Sequence, residues 1–108
     1  MTVGQTITRV GKAPMRSRVE IMAAMLNEVS LSSEGLRRTR LMYRCNLSYR
    51  QLKAYVDCLT EKEFLSVAAI GNGNGGKFEV YRITDEGLSF LRSYSDLKHR
   101  LREGFLMR

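Results

Sequence analysis

Leu36-Arg37-Arg38-Thr39-Arg40-Leu41-Met42-Tyr43-Arg44-Cys45-Asn46-Leu47-Ser48-Tyr49-Arg50-Gln51-Leu52-Lys53-Ala54-Tyr55-Val56 reads as two helices joined by a tight turn. Leu41, Met42 and Cys45 give a short first helix, predicted over 36–45, one buried side. Asn46-Leu47-Ser48 is the turn, with Leu47 as its apolar plug. Ser48-Tyr49-Arg50-Gln51 has the form of a capping box, in which the serine oxygen and the glutamine side chain satisfy opposite backbone N–H groups. Behind it Leu52, Tyr55, Val56 and Leu59 make an inward stripe, and Tyr49, Arg50, Lys53, Ala54 and Asp57 point outward.

Upstream, Val19, Met22, Ala23, Leu26 and Val29 recur at helical steps, with Ile21 and Met25 widening the stripe, and predict a helix over 16–29. Ser30-Leu31-Ser32-Ser33-Glu34-Gly35 ends it, because serines favour turns and glycine breaks helical order. Downstream, residues 64–70 and 78–83 are rich in β-compatible residues and flank Gly71-Asn72-Gly73-Asn74-Gly75-Gly76, a hairpin tip. In the second strand Tyr81 and Ile83 share one face and Phe78 and Val80 the other. One pair stays only partly covered unless a partner lies there. Thr84 caps a last helix from about residue 85 to near the end.

Three helices, a two-stranded hairpin and a terminal helix describe an α+β, mainly α, winged helix-turn-helix. The expected division is a flexible basic arm at 1–14, a DNA-binding domain at 15–87 and a dimerisation helix at 88–108. On that last helix Phe90, Tyr94, Leu97, Leu101 and Phe105 step by 4, 3, 4 and 4, close to a heptad seam. A two-fold dimer built on such a seam engages two DNA half-sites.

The chain has 108 residues, with 18 Lys and Arg against 11 Asp and Glu, a formal charge of +7. That balance points to a polyanionic partner, duplex DNA before an anionic membrane. No apolar run approaches the roughly 20 residues that span a bilayer, and the first residues lack a signal-peptide pattern. Two cysteines make no disulfide framework, so a reducing, cytoplasmic setting is expected, nucleoid-associated for a DNA partner, with Cys45 and Cys58 as buried thiols. The single histidine, His99, excludes most metal and acid–base schemes. No Ser/His/Asp set or carboxylate dyad is visible, so no enzyme, cofactor or small-molecule ligand is expected.

Charge placement carries the functional reading. Between Gly35 and Val56 stand Arg37, Arg38, Arg40, Arg44, Arg50 and Lys53 and no acid, while Glu34 and Asp57 bracket the window. Arg37, Arg38 and Arg40 are expected to clamp phosphates. Arg50 or Lys53 reaches guanine O6 and N7 from a recognition helix at 48–61, alongside Arg44, Ser48 and Tyr49. The bland alternative is a solvated basic face. The glycine string matches both G-x-G-x-x-G and most of a P-loop, but those motifs need a helix next and a Ser or Thr where Phe78 stands. The string reads better as a wing whose Asn72, Asn74 and Lys77 touch a DNA backbone, with a plain flexible hairpin as the alternative.

Residues 39–55, together with Tyr81-x-Ile83-Thr84-x-x-Gly87-x-x-Phe90-Leu91, resemble small archaeal winged-helix DNA-binding proteins over about residues 16–95. Members include transcription regulators and chromatin-type proteins that dimerise through a C-terminal antiparallel coiled coil. The resemblance implies a dimeric DNA binder with Arg40, Arg50 and Lys53 facing DNA. A shorter terminal helix and a longer Asn/Gly tip favour a local regulator over an architectural chromatin protein. The rival expectations are a protein-interaction winged helix and an RNA binder with Tyr43 or Tyr49 stacked on bases.

Overall fold

The computed structural model describes residues 16–71 and 73–106, with side chains described through residue 102. The elements are α1 (Arg18–Ser30), α2 (Arg38–Cys45), α3 (Tyr49–Glu61), β1 (Leu65–Gly71), β2 (Lys77–Ile83) and α4 (Asp85–Leu106). Their order is the expected winged helix-turn-helix. The arm at 1–14 lies outside the described residues. No helix among them is long and apolar enough to cross a membrane.

Helix α1 starts two residues later than the periodicity predicts, because Ser17 and Glu20 form a full capping box. The Glu20 amide donates to Ser17 Oγ at 3.1 Å and the Ser17 amide to Glu20 Oε1 at 2.8 Å. These bonds hold the Glu20 carboxyl below its usual range. The stripe is also turned. Ile21, Ala23, Met25, Leu26 and Val29 are buried, whereas Val19 is 44% exposed. Ile21–Leu26 is an unbroken apolar run, because α1 packs against α2, β2 and α4 rather than one neighbour.

The turn between α2 and α3 works as the sequence suggests. Asn46 adopts a left-handed conformation at φ 55°, which asparagine tolerates. The Leu47 amide donates to Met42 O at 3.0 Å, closing a Schellman-type end. Leu47 is buried, and the Ser48–Gln51 capping box is complete. After α3, Glu63 takes φ 65° and the Phe64 amide returns to Leu59 O at 2.9 Å, so the chain turns sharply into β1.

Helix α2 begins at Arg38 and not at Leu36. Leu36 is instead an isolated β-bridge partner of Tyr81, exchanging N–H···O bonds of 2.9 and 2.8 Å. Beside it Gly35 sits at φ 102°, where an added Cβ would lie 2.8 Å from Val80 Cγ2. This supplies the covering that the second strand lacks in sequence: Val80 packs on the Gly35 side and Tyr81 in the core, and both are buried. The hairpin pairs antiparallel from Leu65↔Ile83 to Gly71↔Lys77.

Thr84 ties hairpin to α4. Its hydroxyl donates to Glu63 O at 2.5 Å and accepts from the Gly87 amide at 3.0 Å. Gly87 permits the approach, since a Cβ there would meet Phe64 O at 2.4 Å. The core joins Met25, Leu26, Leu41, Leu52, Leu59 and Leu65. Phe64, just before β1, stacks on Phe90 of α4 at 5.1 Å and Phe90 on Tyr94 at 6.1 Å, while Leu97 and Leu101 of α4 stay exposed.

Candidate nucleic-acid interface

The start of α2, the outer face of α3 and one side of the hairpin meet on one side of the molecule. Arg37 is the N-cap residue of α2, with extended backbone and no capping hydrogen bond from its side chain. Its Cζ lies 4.0 Å over the ring of Phe78 on β2. The next residue, Arg38, sends its Cζ 5.5 Å over the ring of Tyr49, the first residue of α3. Arg37, Arg38, Arg40, Tyr43, Lys77 and Phe78 line one concavity of about 1070 Å³. An adjoining one of about 660 Å³ is bordered by Arg38, Tyr49, Lys53, Asp57, Val67 and Glu79.

Cations from three separated stretches therefore share one surface. Arg50 and Lys53 are exposed on α3, and Lys53 Nζ stands 3.8 Å from Asp57 Oδ2. Both groups are solvated, so that pair is weak. Ser48 spends its hydroxyl on the cap. Arg44 is directed elsewhere, with Nη1 3.5 Å from Glu28 Oε1 of α1. Lys77 and Asn74 are exposed at the tip of the hairpin, and Asn72 lies outside the described residues. The segment after the glycines is β2, which removes the helix that a phosphate-binding glycine motif requires. No cluster of metal-ligating side chains occurs among the described residues.

Several contributors have no local signature. Phe78 beneath Arg37 is separated from it by 41 positions. Arg16 Nη2 donates to Cys45 O at 2.8 Å, satisfying the end of α2. Glu79 and Val67 place an acid and an exposed apolar group beside α3. The Ser17-x-x-Glu20 pattern was readable but lay inside the arginine-rich start of α1. Cys45 is a buried free thiol, pushed up to about 11 chiefly by burial and then by Glu28. Cys58 is only half-buried, not the buried thiol expected.

A winged helix-turn-helix family model matches residues 15–102. Among solved structures, Sso10a-2, a DNA-binding protein from Sulfolobus solfataricus, superposes with a TM-score of 0.64 at 22% identity, over 85% of this chain and 87% of that one. The PcaV transcriptional regulator from Streptomyces coelicolor gives 0.64 at 24% identity over 80% of this chain. MepR from S. aureus, in a complex with DNA, gives 0.64 at 9% identity, over 81% of this chain and 69% of that one. The chain spans 59% of the PcaV chain. At such identities the likeness is one of fold. No curated protein matches the sequence.

Proposed function

The chain belongs to the winged helix-turn-helix family, and from that premise we propose that it is a homodimeric, sequence-specific duplex DNA binder that regulates transcription. The observation that carries the reading is the shared surface of Arg37, Arg38, Arg40 and Lys77, continuous with Tyr49 and Lys53 through Arg38. In this reading α3 enters the major groove with Arg50 and Lys53 toward base edges. Arg37, Arg38 and Arg40 bind phosphates of the flanking backbone. The wing, with Asn72, Asn74 and Lys77, follows the neighbouring groove, and the arm at 1–14 adds basic contacts. The DNA-binding proteins among its fold relatives, Sso10a-2 and MepR, support the partner class.

Residues 88–108 provide the dimer contact. Phe90 and Tyr94 are already stacked on Phe64, so the association rests on the outer part of the seam, where Leu97 and Leu101 are exposed. Phe105 extends the same sequence step; its side chain lies outside those described.

Titration of the full chain against duplex DNA at several salt concentrations tests the reading. Each ionic contact contributes about −0.9 to the slope of log K against log salt. Replacing Arg50 and Lys53 together by alanine lowers affinity about tenfold or more and leaves the thermal midpoint close to wild type, both residues being exposed. No binding at low salt, or wild-type binding by the double variant, overturns the assignment of α3.

A further inference from the structure

Arg37 and Arg38 are adjacent in sequence, yet their heads go to rings on different elements. Arg37 rests over Phe78 of β2 at 4.0 Å, and Arg38 over Tyr49 of α3 at 5.5 Å. A ring attracts a guanidinium through its quadrupole and occupies none of the five N–H donors that recognise phosphate. Among the described residues neither guanidinium pairs with a carboxylate, so those donors face solvent on the cationic concavity. Long exposed side chains normally lose conformational freedom on binding, and that loss lowers affinity. A side chain ordered beforehand escapes part of it.

We propose that Phe78 and Tyr49 are positioning residues, holding Arg37 and Arg38 in the geometry that phosphates meet; the proposal rests on the duplex-DNA reading above. Phe78 is half-buried beside Lys77, and Tyr49 is 54% exposed. The two rings thereby join the start of α2 to the wing on one side and to the recognition helix on the other. Arg37 becomes a phosphate ligand set by the wing, and Arg38 one set by α3.

The test titrates a short duplex at several salt concentrations with the wild-type chain, Phe78→Leu, Phe78→Tyr, Arg37→Lys and the Phe78→Leu/Arg37→Lys pair. Phe78→Leu is expected to weaken binding about 2- to 10-fold, with the salt slope unchanged because the charge is kept. Phe78→Tyr restores affinity. Arg37→Lys, which keeps the charge but loses the planar head, weakens binding by a similar factor, and the double variant is no weaker than either single one. Tyr49→Leu and Tyr49→Phe behave in the same way for Arg38. Should Phe78→Leu alter folding, Arg37→Lys and Arg38→Lys carry the test with both rings intact, and wild-type affinity in both overturns the proposal. Wild-type affinity in Phe78→Leu, or additive losses in the double variant, also overturns it, even while salt-dependent wild-type binding upholds the DNA reading. Absence of salt-dependent binding by the wild-type chain removes both.

Discussion

Helices α3 and α4 carry apolar stripes of similar spacing, but one is finished by its own domain and the other is not. On α3, Leu52 and Leu59 are wholly buried and Val56 is 8% exposed. On α4, Phe90, Leu91 and Tyr94 are partly covered, whereas Leu97 and Leu101 are 57% and 64% exposed. The difference is one of reach. A 22-residue helix is about 33 Å long, more than a domain this small can cover. A stripe within reach of the core records folding, and its continuation beyond the core is the part that the proposed dimer would cover.

The covered stripe of α3 matters most for stability. Leu52→Ala empties a fully buried site and should cost about 2–5 kcal/mol, read from chemical denaturation. Gly87→Ala tests the junction from which α4 departs. An ordinary helical glycine gains about 1 kcal/mol on becoming alanine, but here the methyl collides with Phe64 O. A net loss of about 1–3 kcal/mol is expected; a gain would show that α4 can shift without cost. Alkaline pH probes the covered side. The folded Cys45 thiol is raised from 9.0 to about 11, so the fold favours its protonated form. That contribution is complete below about pH 9 and is lost as pH rises toward 11. The buried phenol of Tyr81, also raised by burial, acts in the same direction. A decline of about 1–2 kcal/mol between those limits is expected, and a smaller one in Cys45→Ala. The least effect on folding belongs to the uncovered side. Leu97→Ala with Leu101→Ala should change unfolding of the domain by less than about 0.5 kcal/mol per site, while sedimentation shows a shift toward monomer. Unchanged association would dissociate the exposed stripe from dimer formation.

What was legible in the sequence follows the range of the forces involved. The α2–α3 turn, the Ser48 cap, the Leu47 plug, the hairpin tip and the Thr84 cap are local devices, each set by residues a few positions apart. The turn of α1 is not legible locally because Ile21–Leu26 is apolar throughout, and only the surrounding α2, β2 and α4 choose which side is deepest. Local pattern places Leu36 in a helix because its bridge partner, Tyr81, lies 45 positions away. The basic character of the candidate surface is visible in the sequence as charge, since six cations fall between Gly35 and Val56 without an acid. Their sorting was not: Arg44 turns to Glu28, and Phe78 lies under Arg37, through contacts that no local spacing encodes.

The Leu36–Tyr81 bridge has a mechanical corollary. With its root bolted by two reciprocal hydrogen bonds to the segment that launches α2, the hairpin behaves as a cantilever anchored near its base. Residues added or removed at the glycine tip would lengthen or shorten its span while leaving its aim unchanged. Changes in tip length would therefore alter the reach of the hairpin while the core, built below it, stays as it is.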